Sequence, residues 1–197
     1  MTEIILASQS LARRAILEGA GVAIETASPG VDEDAAKASL LAEGCTPRDI
    51  ADALAELKAI KASRSRPGLV IGADQTLDLH GKLYDKAATI EDARERLKLL
   101  RGETHRLHSA VVVARDGTPI WRNLETATLT MRDFSDAFLE DYLRTEGPAA
   151  LGSVGCYRLE GPGAQLFAKI QGDYFAILGL PLLGLLDFLR QHGALAS

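Results

Sequence analysis

Apolar residues recur along the chain with two periods, one typical of helices and one typical of strands. Residues 3–7 form a short apolar run that predicts a buried strand. Residues 12–20 then carry apolar positions at helical spacing, so we expect a helix that begins near Leu11 with Ser10 as its N-cap. The chain therefore opens with a strand, a short turn and a helix.

The same two patterns alternate along the rest of the chain. Further strands are predicted at 22–27, 69–73, 107–114 and 120–131, with a hairpin tip at His80-Gly81 and a pair of strands over 165–178. Further helices are predicted over 49–63, 89–100 and 135–145, and from Pro181 to just before Gly193. In the helix over 49–63, the expected buried stripe consists of Ile50, Leu54, Leu57 and Ile60. This alternation predicts an α/β fold with a mixed sheet, formed by a single domain over residues 1–197.

The turn between the first strand and the first helix has features that favour an anion. Ser8 and Ser10 offer hydroxyl groups, and free backbone N–H groups and the positive end of the helix dipole point into the same turn. Arg13 and Arg14 add forked donors that match phosphate oxygens. On this segment alone, a simple cap with two solvated arginines is the more common interpretation, because any capped strand–helix turn looks similar.

Composition limits the class of protein. The chain has 197 residues, of which 47% are hydrophobic and 25% charged, as expected of a soluble globular protein. A formal charge of −5 argues against a nucleic-acid polymer as partner, while a small anion in a local positive pocket stays compatible. Pro181 and Asp187 interrupt the longest apolar run, so we expect no membrane span. Cys45 and Cys156 match no metal-ligand spacing, which favours a reduced, cytoplasmic chain.

Three charged residues are candidates for chemistry because of their positions. Asp74 ends the apolar strand at 69–73, where side chains at the edge of a sheet face a ligand crevice. Glu33 lies in an acidic run and Lys58 on an amphipathic helix, and on their own both patterns are more typical of solvated surfaces. The four histidines are scattered, so a zinc site is not expected.

A set of short motifs spans nearly the whole chain. The motifs are LASQS at 6–10 followed by Arg13 and Arg14, VDE at 31–33, the helix with Lys58, GAD at 72–74, Lys86, Gly155 with EGPG at 160–163, and GDY at 172–174 with GLPL at 179–182. In this order the set resembles the Maf family of nucleotide pyrophosphatases. The resemblance implies a mixed, elongated and twisted α/β sheet with flanking helices, two lobes around a central cleft, and often a homodimer.

The resemblance also implies an activity. Members of the family hydrolyse a nucleoside triphosphate to the monophosphate and pyrophosphate with a divalent cation, Mg²⁺ or Mn²⁺. Carried over residue by residue, Asp74 is expected to be the general base and Glu33 a metal or water partner. Both carboxylates are potential metal ligands, and their roles could be exchanged. Lys58 and Lys86 complete the expected catalytic set. The expected phosphate ligands are Ser8, Ser10, Arg13 and Arg14.

Two positions bear on the base of the nucleotide. Gln75 and Glu160 match the branch of the family that acts on 7-methylguanosine triphosphate, whereas the branch acting on thymidine and uridine triphosphates has Thr and Gln there. A carboxylate at Glu160 can accept hydrogen bonds from the N1–H and the exocyclic amine of guanine. Ala12 departs from the pattern, because the methylguanine branch has Trp there, and Asp85 is expected to weaken the attraction of Lys86 for phosphate. The alternatives are a dTTP/UTP pyrophosphatase, or a nucleotide-binding regulator of cell division without significant turnover.

Overall fold

A computed structural model describes residues 2–196, and its seven strands form one mixed sheet, which confirms the predicted α/β fold. The strands are β1 (Ile4–Ala7), β2 (Glu25–Thr26), β3 (Leu69–Leu79), β4 (Lys82–Tyr84), β5 (Thr104–Arg115), β6 (Thr118–Met131) and β7 (Phe167–Gln171). The α-helices are α1 (Leu11–Gly19), α2 (Glu33–Ala42), α3 (Pro47–Ser63), α4 (Ile90–Leu100), α5 (Asp136–Glu146), α6 (Tyr174–Ile177) and α7 (Leu182–Gln191). Among these helices, none combines the length and the apolar character that crossing a bilayer requires.

The order of the strands leaves a gap on one side of β3. The order is β2-β1-β3-β5-β6-β7, and β4 also pairs with β3. β1 lies parallel to β2 and β3, and the segment with α1, α2 and α3 supplies the long crossover that a parallel β1–β3 pair needs. β1 ends opposite Gly72, and β4 pairs with β3 from Leu77 onward. Between these points, residues 73–76 have a strand neighbour among the described strands only on the side of β5.

Helix α3 packs directly on β3 because Gly72 has no side chain. A Cβ at Gly72 would collide with the backbone carbonyl of Ala55 and the backbone nitrogen of Ala59. The buried face of α3 is consequently rich in alanine, and the predicted stripe is wrong at Leu57, which is 42% exposed. Lys58 takes the buried place instead, and this rotation of the helix directs a lysine toward β3.

The apolar core on the other face of the sheet has two parts. One part contains Ile71 and packs against α1 and α7, and the other contains Leu77 and packs against α4 and α5. Between them on the same face lie Gln75 and Ser109, which are cross-strand neighbours on β3 and β5. The two lobes implied by the resemblance correspond to these two cores, and the polar pair marks the boundary between them.

Four elements differ from the sequence predictions. Strand β3 does not end at residue 73: its pairing with β5 continues to Asp78, so Asp74 lies within the strand and not at its end as predicted. The strand predicted at 22–27 is reduced to the two-residue β2, and α2 was not predicted, because none of its residues is buried and it shows no apolar stripe. The predicted pair of strands over 165–178 is wrong, since only β7 forms. After it, Asp173 caps α6 by accepting from the backbone N–H of Ala176 at 2.8 Å.

Candidate active site

Asp74, Lys58 and Glu33 meet beside the gap in the sheet. Lys58 Nζ lies 2.7 Å from Asp74 Oδ1 and 2.9 Å from Glu33 Oε2. The side chains of Lys58 and Asp74 are 5% and 9% exposed, whereas that of Glu33 is 38% exposed. The three come from separate elements: α3, β3 and the first residue of α2. The structure therefore brings together three residues of the predicted catalytic set, while their roles stay predictions.

Arg13 is buried next to this group. Its Nε donates to the carbonyl of Gly179 at 2.8 Å, and its Nη1 donates to the carbonyl of Ala73 at 2.9 Å and to Ser8 Oγ at 3.3 Å. Burial lowers the pKa of Arg13 below its ordinary value, and the two nearby carboxylates oppose that shift. The guanidinium is thus a fixed positive charge at the edge of the gap.

The strand–helix turn is ordered by its two serines. Ser8 Oγ accepts from the backbone N–H of Ser10 at 3.2 Å, and Ser10 Oγ accepts from the backbone N–H of Arg13 at 3.4 Å, as predicted for an N-cap. Arg14 behaves differently, because it is half-exposed and pairs with Glu18 one turn along α1 at 2.7 Å. The structure therefore places Arg14 on the solvated side of α1, apart from the buried Arg13.

Two lysines stand near the same carboxylates. Partial burial lowers the pKa of Lys86, the positive charges of Arg13 and Lys58 lower it further, and the two carboxylates oppose the shift. Lys37 of α2 pairs with Asp85 at 2.6 Å. Partial burial lowers the pKa of Lys37, but the pairing with Asp85 outweighs this effect, and the pKa is raised. Asp85 was expected to weaken the attraction of Lys86 for phosphate, but in the structure it is paired with Lys37.

Sequence reasoning missed two residues near the site, Lys37 and Ser109. Lys37 lies four residues after Glu33, the spacing of neighbours on one helix face, and would have been noticed had α2 been predicted. Ser109 lies opposite Gln75 across the β3–β5 pair, a relation that depends on a register the sequence alone does not specify.

The structure places the residues predicted to recognise the base in different surroundings. Glu160 and Ala12 line the same groove of about 400 Å³. Its other lining residues are small or apolar: Ala15, Ile16, Gly19, Ala20, Phe175, Leu178 and Leu182. Two of the lining residues are chain neighbours of the Arg13–Gly179 contact, since Ala12 precedes Arg13 and Leu178 precedes Gly179. Gln75 is not part of this lining.

The two carboxylates have the chemistry of a partial site for a hard cation. Both approach a single cationic nitrogen, so they can share one positive charge. Within residues 2–196, no group of three or more His, Cys, Asp or Glu side chains forms a complete metal site. Mg²⁺ does not require one, because it is usually bound by one or two carboxylates together with water and substrate phosphates. Asp74 and Glu33 are thus oxygen donors of the type that Mg²⁺ accepts, and the divalent cation implied by the resemblance stays a prediction.

Comparison with known proteins agrees with the motifs. A family model described as Maf-like protein matches residues 3–192. The chain belongs to the Maf-like protein family. The family predicted from the sequence motifs is therefore confirmed, and the Maf-like motifs at 6–14, 31–33 and 72–74 are the segments that converge on the gap beside β3.

Relatives within the Maf-like family carry names of one enzyme class. The chain is 69% identical over 195 residues to the nucleoside triphosphate pyrophosphatase of Caulobacter vibrioides, covering 99% of this chain and 98% of that protein. It is 55% identical over 194 residues to the protein of the same name from Granulibacter bethesdensis, covering 98% of each. It is 50% identical over 191 residues to the 7-methyl-GTP pyrophosphatase of Brucella abortus, covering 96% of each. These names agree with the enzyme class implied by the resemblance.

Proposed function

We propose that this Maf-like chain is a nucleoside triphosphate pyrophosphatase that cleaves between the α and β phosphates of a 7-methylguanosine triphosphate. The observation that carries the proposal is that Lys58 contacts both Asp74 and Glu33 within 3 Å, next to the buried Arg13. Cleavage of a phosphoanhydride needs an oriented water and several cations around the phosphates. The names of the relatives support the coarser activity, pyrophosphate release from a nucleoside triphosphate.

Each side chain at the gap is assigned a task. Asp74 accepts the proton of the attacking water, since Lys58 holds its Oδ1 and thereby orients the carboxylate. Arg13 and Lys86 neutralise phosphate oxygens. Glu33, the more exposed carboxylate, is assigned to the divalent cation together with Asp74. When bound, Mg²⁺ or Mn²⁺ would supply positive charge to the phosphates and lower the pKa of a coordinated water.

The preference for a 7-methylated guanine rests on the groove between α1 and α6. Methylation at N7 gives the base a positive charge, and Glu160 supplies a carboxylate among otherwise uncharged lining residues. Phe175 adds an aromatic ring to the same lining, which suits a flat cation. Ala12 leaves space on the wall formed by α1. A relative at 50% identity bears the name 7-methyl-GTP pyrophosphatase, which also supports this substrate.

Pyrophosphate release from a panel of triphosphates, with Mg²⁺ or Mn²⁺, tests the proposal. Highest turnover is expected with 7-methyl-GTP. Dominant turnover of dTTP or UTP would favour the pyrimidine branch of the family. Tight nucleotide binding without any pyrophosphate release would favour a regulator of cell division. The homodimer and the cytoplasmic location stay predictions.

The assignment of Asp74 is tested by Asp74→Asn. Turnover is expected to fall by about a hundredfold or more, because the amide cannot accept the proton. Asp78→Asn is the matched control: Asp78 is buried on the same face of β3, but it accepts from the backbone N–H of Gly81 at 2.6 Å and lies 3.4 Å from His108. Activity of Asp74→Asn within about threefold of the unsubstituted protein would exclude Asp74 as the base.

A further inference from the structure

Gln75 and Ser109 form a polar pair on the face of the sheet opposite Asp74. Gln75 Nε2 donates to Ser109 Oγ at 2.9 Å and reaches the carbonyls of Ala176 and Ile177 at 3.1 and 3.0 Å. Ser109 Oγ donates in turn to the carbonyl of Ala176 at 2.6 Å. An amide nitrogen carries two hydrogens, so three acceptors at these distances leave none for a nucleotide base. The pair therefore holds the backbone of α6 against the middle of β3 and β5.

The segment held in this way leads directly to Gly179. Gly179 has a φ of +106°, a conformation that glycine adopts readily, and its carbonyl accepts from Arg13 Nε at 2.8 Å. Arg13 Nη1 donates to the carbonyl of Ala73, which is two residues before Gln75 on β3. These contacts close a ring from Arg13 through Gly179, α6 and Gln75 back to Ala73. Among residues 2–196, Arg13 Nη2 has no hydrogen-bond partner, which leaves it available to a phosphate oxygen.

We propose that Gln75 and Ser109 are positioning residues for Arg13: they fix α6, and through the Gly179 carbonyl they orient the guanidinium toward the substrate phosphates. The inference rests on the proposed function, which makes Arg13 a phosphate ligand. It gives Gln75 a role different from base recognition, since a change at this position alters the binding of the phosphates whatever base they carry.

Inorganic tripolyphosphate with Mg²⁺ separates the two roles of Gln75, because it carries the phosphates and no base. Gln75→Met keeps the length of the side chain and removes its donors, and Ser109→Ala removes the hydroxyl group. By calorimetric titration, each variant is expected to bind tripolyphosphate about five- to tenfold more weakly. KM is expected to rise by the same factor for GTP, 7-methyl-GTP and UTP, with little change in kcat. Glu160→Gln is the matched control, which changes the ranking of bases and leaves tripolyphosphate affinity unchanged.

A double-mutant cycle with Arg13→Lys tests whether Gln75 acts through Arg13. A lysine cannot bond Gly179 and Ala73 as a fork, so Gln75→Met is expected to add no further loss of tripolyphosphate binding in that background. Melting curves establish which variants fold. If Gln75→Met does not fold, Ser109→Ala replaces it in the double-mutant cycle.

Three results would overturn the inference. They are tripolyphosphate affinity within about twofold of the unsubstituted protein in the folded variants, additive losses in the cycle, and no tripolyphosphate binding by the unsubstituted protein. Failure of the unsubstituted protein to hydrolyse any triphosphate would refute the proposed function separately. The cycle depends on tripolyphosphate binding alone, so the two failures can be told apart.

Discussion

Replacing Lys58 by methionine probes the electrostatic balance of the site. The Lys58 side chain is almost fully buried, and its ammonium contacts Asp74 at 2.7 Å and Glu33 at 2.9 Å. Methionine preserves most of the volume of the lysine stem, so the substitution removes a charge without opening a large cavity. The buried carboxylate of Asp74 then loses its closest cation.

The expected cost follows from the unequal burial of the two partners. Removing one partner of a buried ion pair typically destabilises a protein by about 3–5 kcal/mol, whereas an exposed pair contributes roughly 0–1 kcal/mol. Glu33 is 38% exposed, so water replaces its lost partner and nearly all of the cost comes from Asp74. Arg13 lies close to Asp74 and compensates in part: burial lowers the pKa of Arg13, and the nearby charge of Asp74 opposes that shift. We therefore expect a loss of about 3 kcal/mol, at the lower end of the range.

Urea denaturation and thermal melting measure this loss. For a chain of this size, a loss of about 3 kcal/mol corresponds to a fall in Tm of roughly 6–12 °C. Lys61→Met is the matched control, because Lys61 lies one turn further along α3 and donates to the carbonyl of Gly30 at the exposed surface. The control is expected to change stability by no more than about 1 kcal/mol.

The double variant Lys58→Met with Asp74→Asn tests whether the unpaired charge of Asp74 causes the loss of stability. If it is, neutralising Asp74 should restore about 1–2 kcal/mol of the stability lost in Lys58→Met. A loss below about 1 kcal/mol in Lys58→Met, or strictly additive losses in the double variant, would refute the electrostatic reasoning. Activity is expected to be low in both variants, so stability is the measurement that discriminates.

Three further predictions concern the base, the metal and pH. Glu160→Gln should shift preference from 7-methyl-GTP toward UTP in competition assays, and an unchanged ranking would remove Glu160 from base recognition. Glu33→Gln should raise the Mg²⁺ concentration needed for half-maximal activity, while the adjacent Asp34→Asn should not; equal effects would argue against Glu33 as a ligand. Burial lowers the pKa of His105 from 6.5 to about 4, so the unfolded chain takes up the proton first as the pH falls. Stability should therefore decline from about pH 6.5 to about pH 4, by up to about 3 kcal/mol, and denaturation of His105→Phe should show a flatter decline.

Local signals along the chain predicted much of the secondary structure. The caps Ser10 and Ser135 are found as expected, because a hydroxyl before an apolar helical pattern satisfies a free backbone N–H. The turn at His80-Gly81 also forms as predicted, with both residues at positive φ. Helix α6 was missed because its four apolar residues are equally typical of a strand. Asp173 is the N-cap of this helix, but a single aspartate does not by itself predict a helix start.

The candidate site could be predicted only in part from single segments. Lys58, taken alone, is a charged residue on an amphipathic helix, and its burial depends on the close approach of α3 to Gly72. That approach is a tertiary property, which helical periodicity does not contain. The pairing of Gln75 with Ser109 likewise depends on the register of β3 against β5. The motif resemblance supplied what periodicity could not, namely that these segments belong to one site.

The position of the site follows from a short interruption in the sheet. Because residues 73–76 have no neighbour on one side among the strands within 2–196, the carbonyl of Ala73 is free to accept from Arg13. Alternation along the same strand sends Asp74 toward α3 and Gln75 toward α6, so neighbouring residues serve the two faces. A shift of β3 by one residue would exchange these faces and separate Asp74 from Lys58. Gly72 opposes that shift, since a Cβ beneath α3 would collide with the helix backbone. A glycine that looks purely structural is therefore a condition for the contact between Asp74 and Lys58.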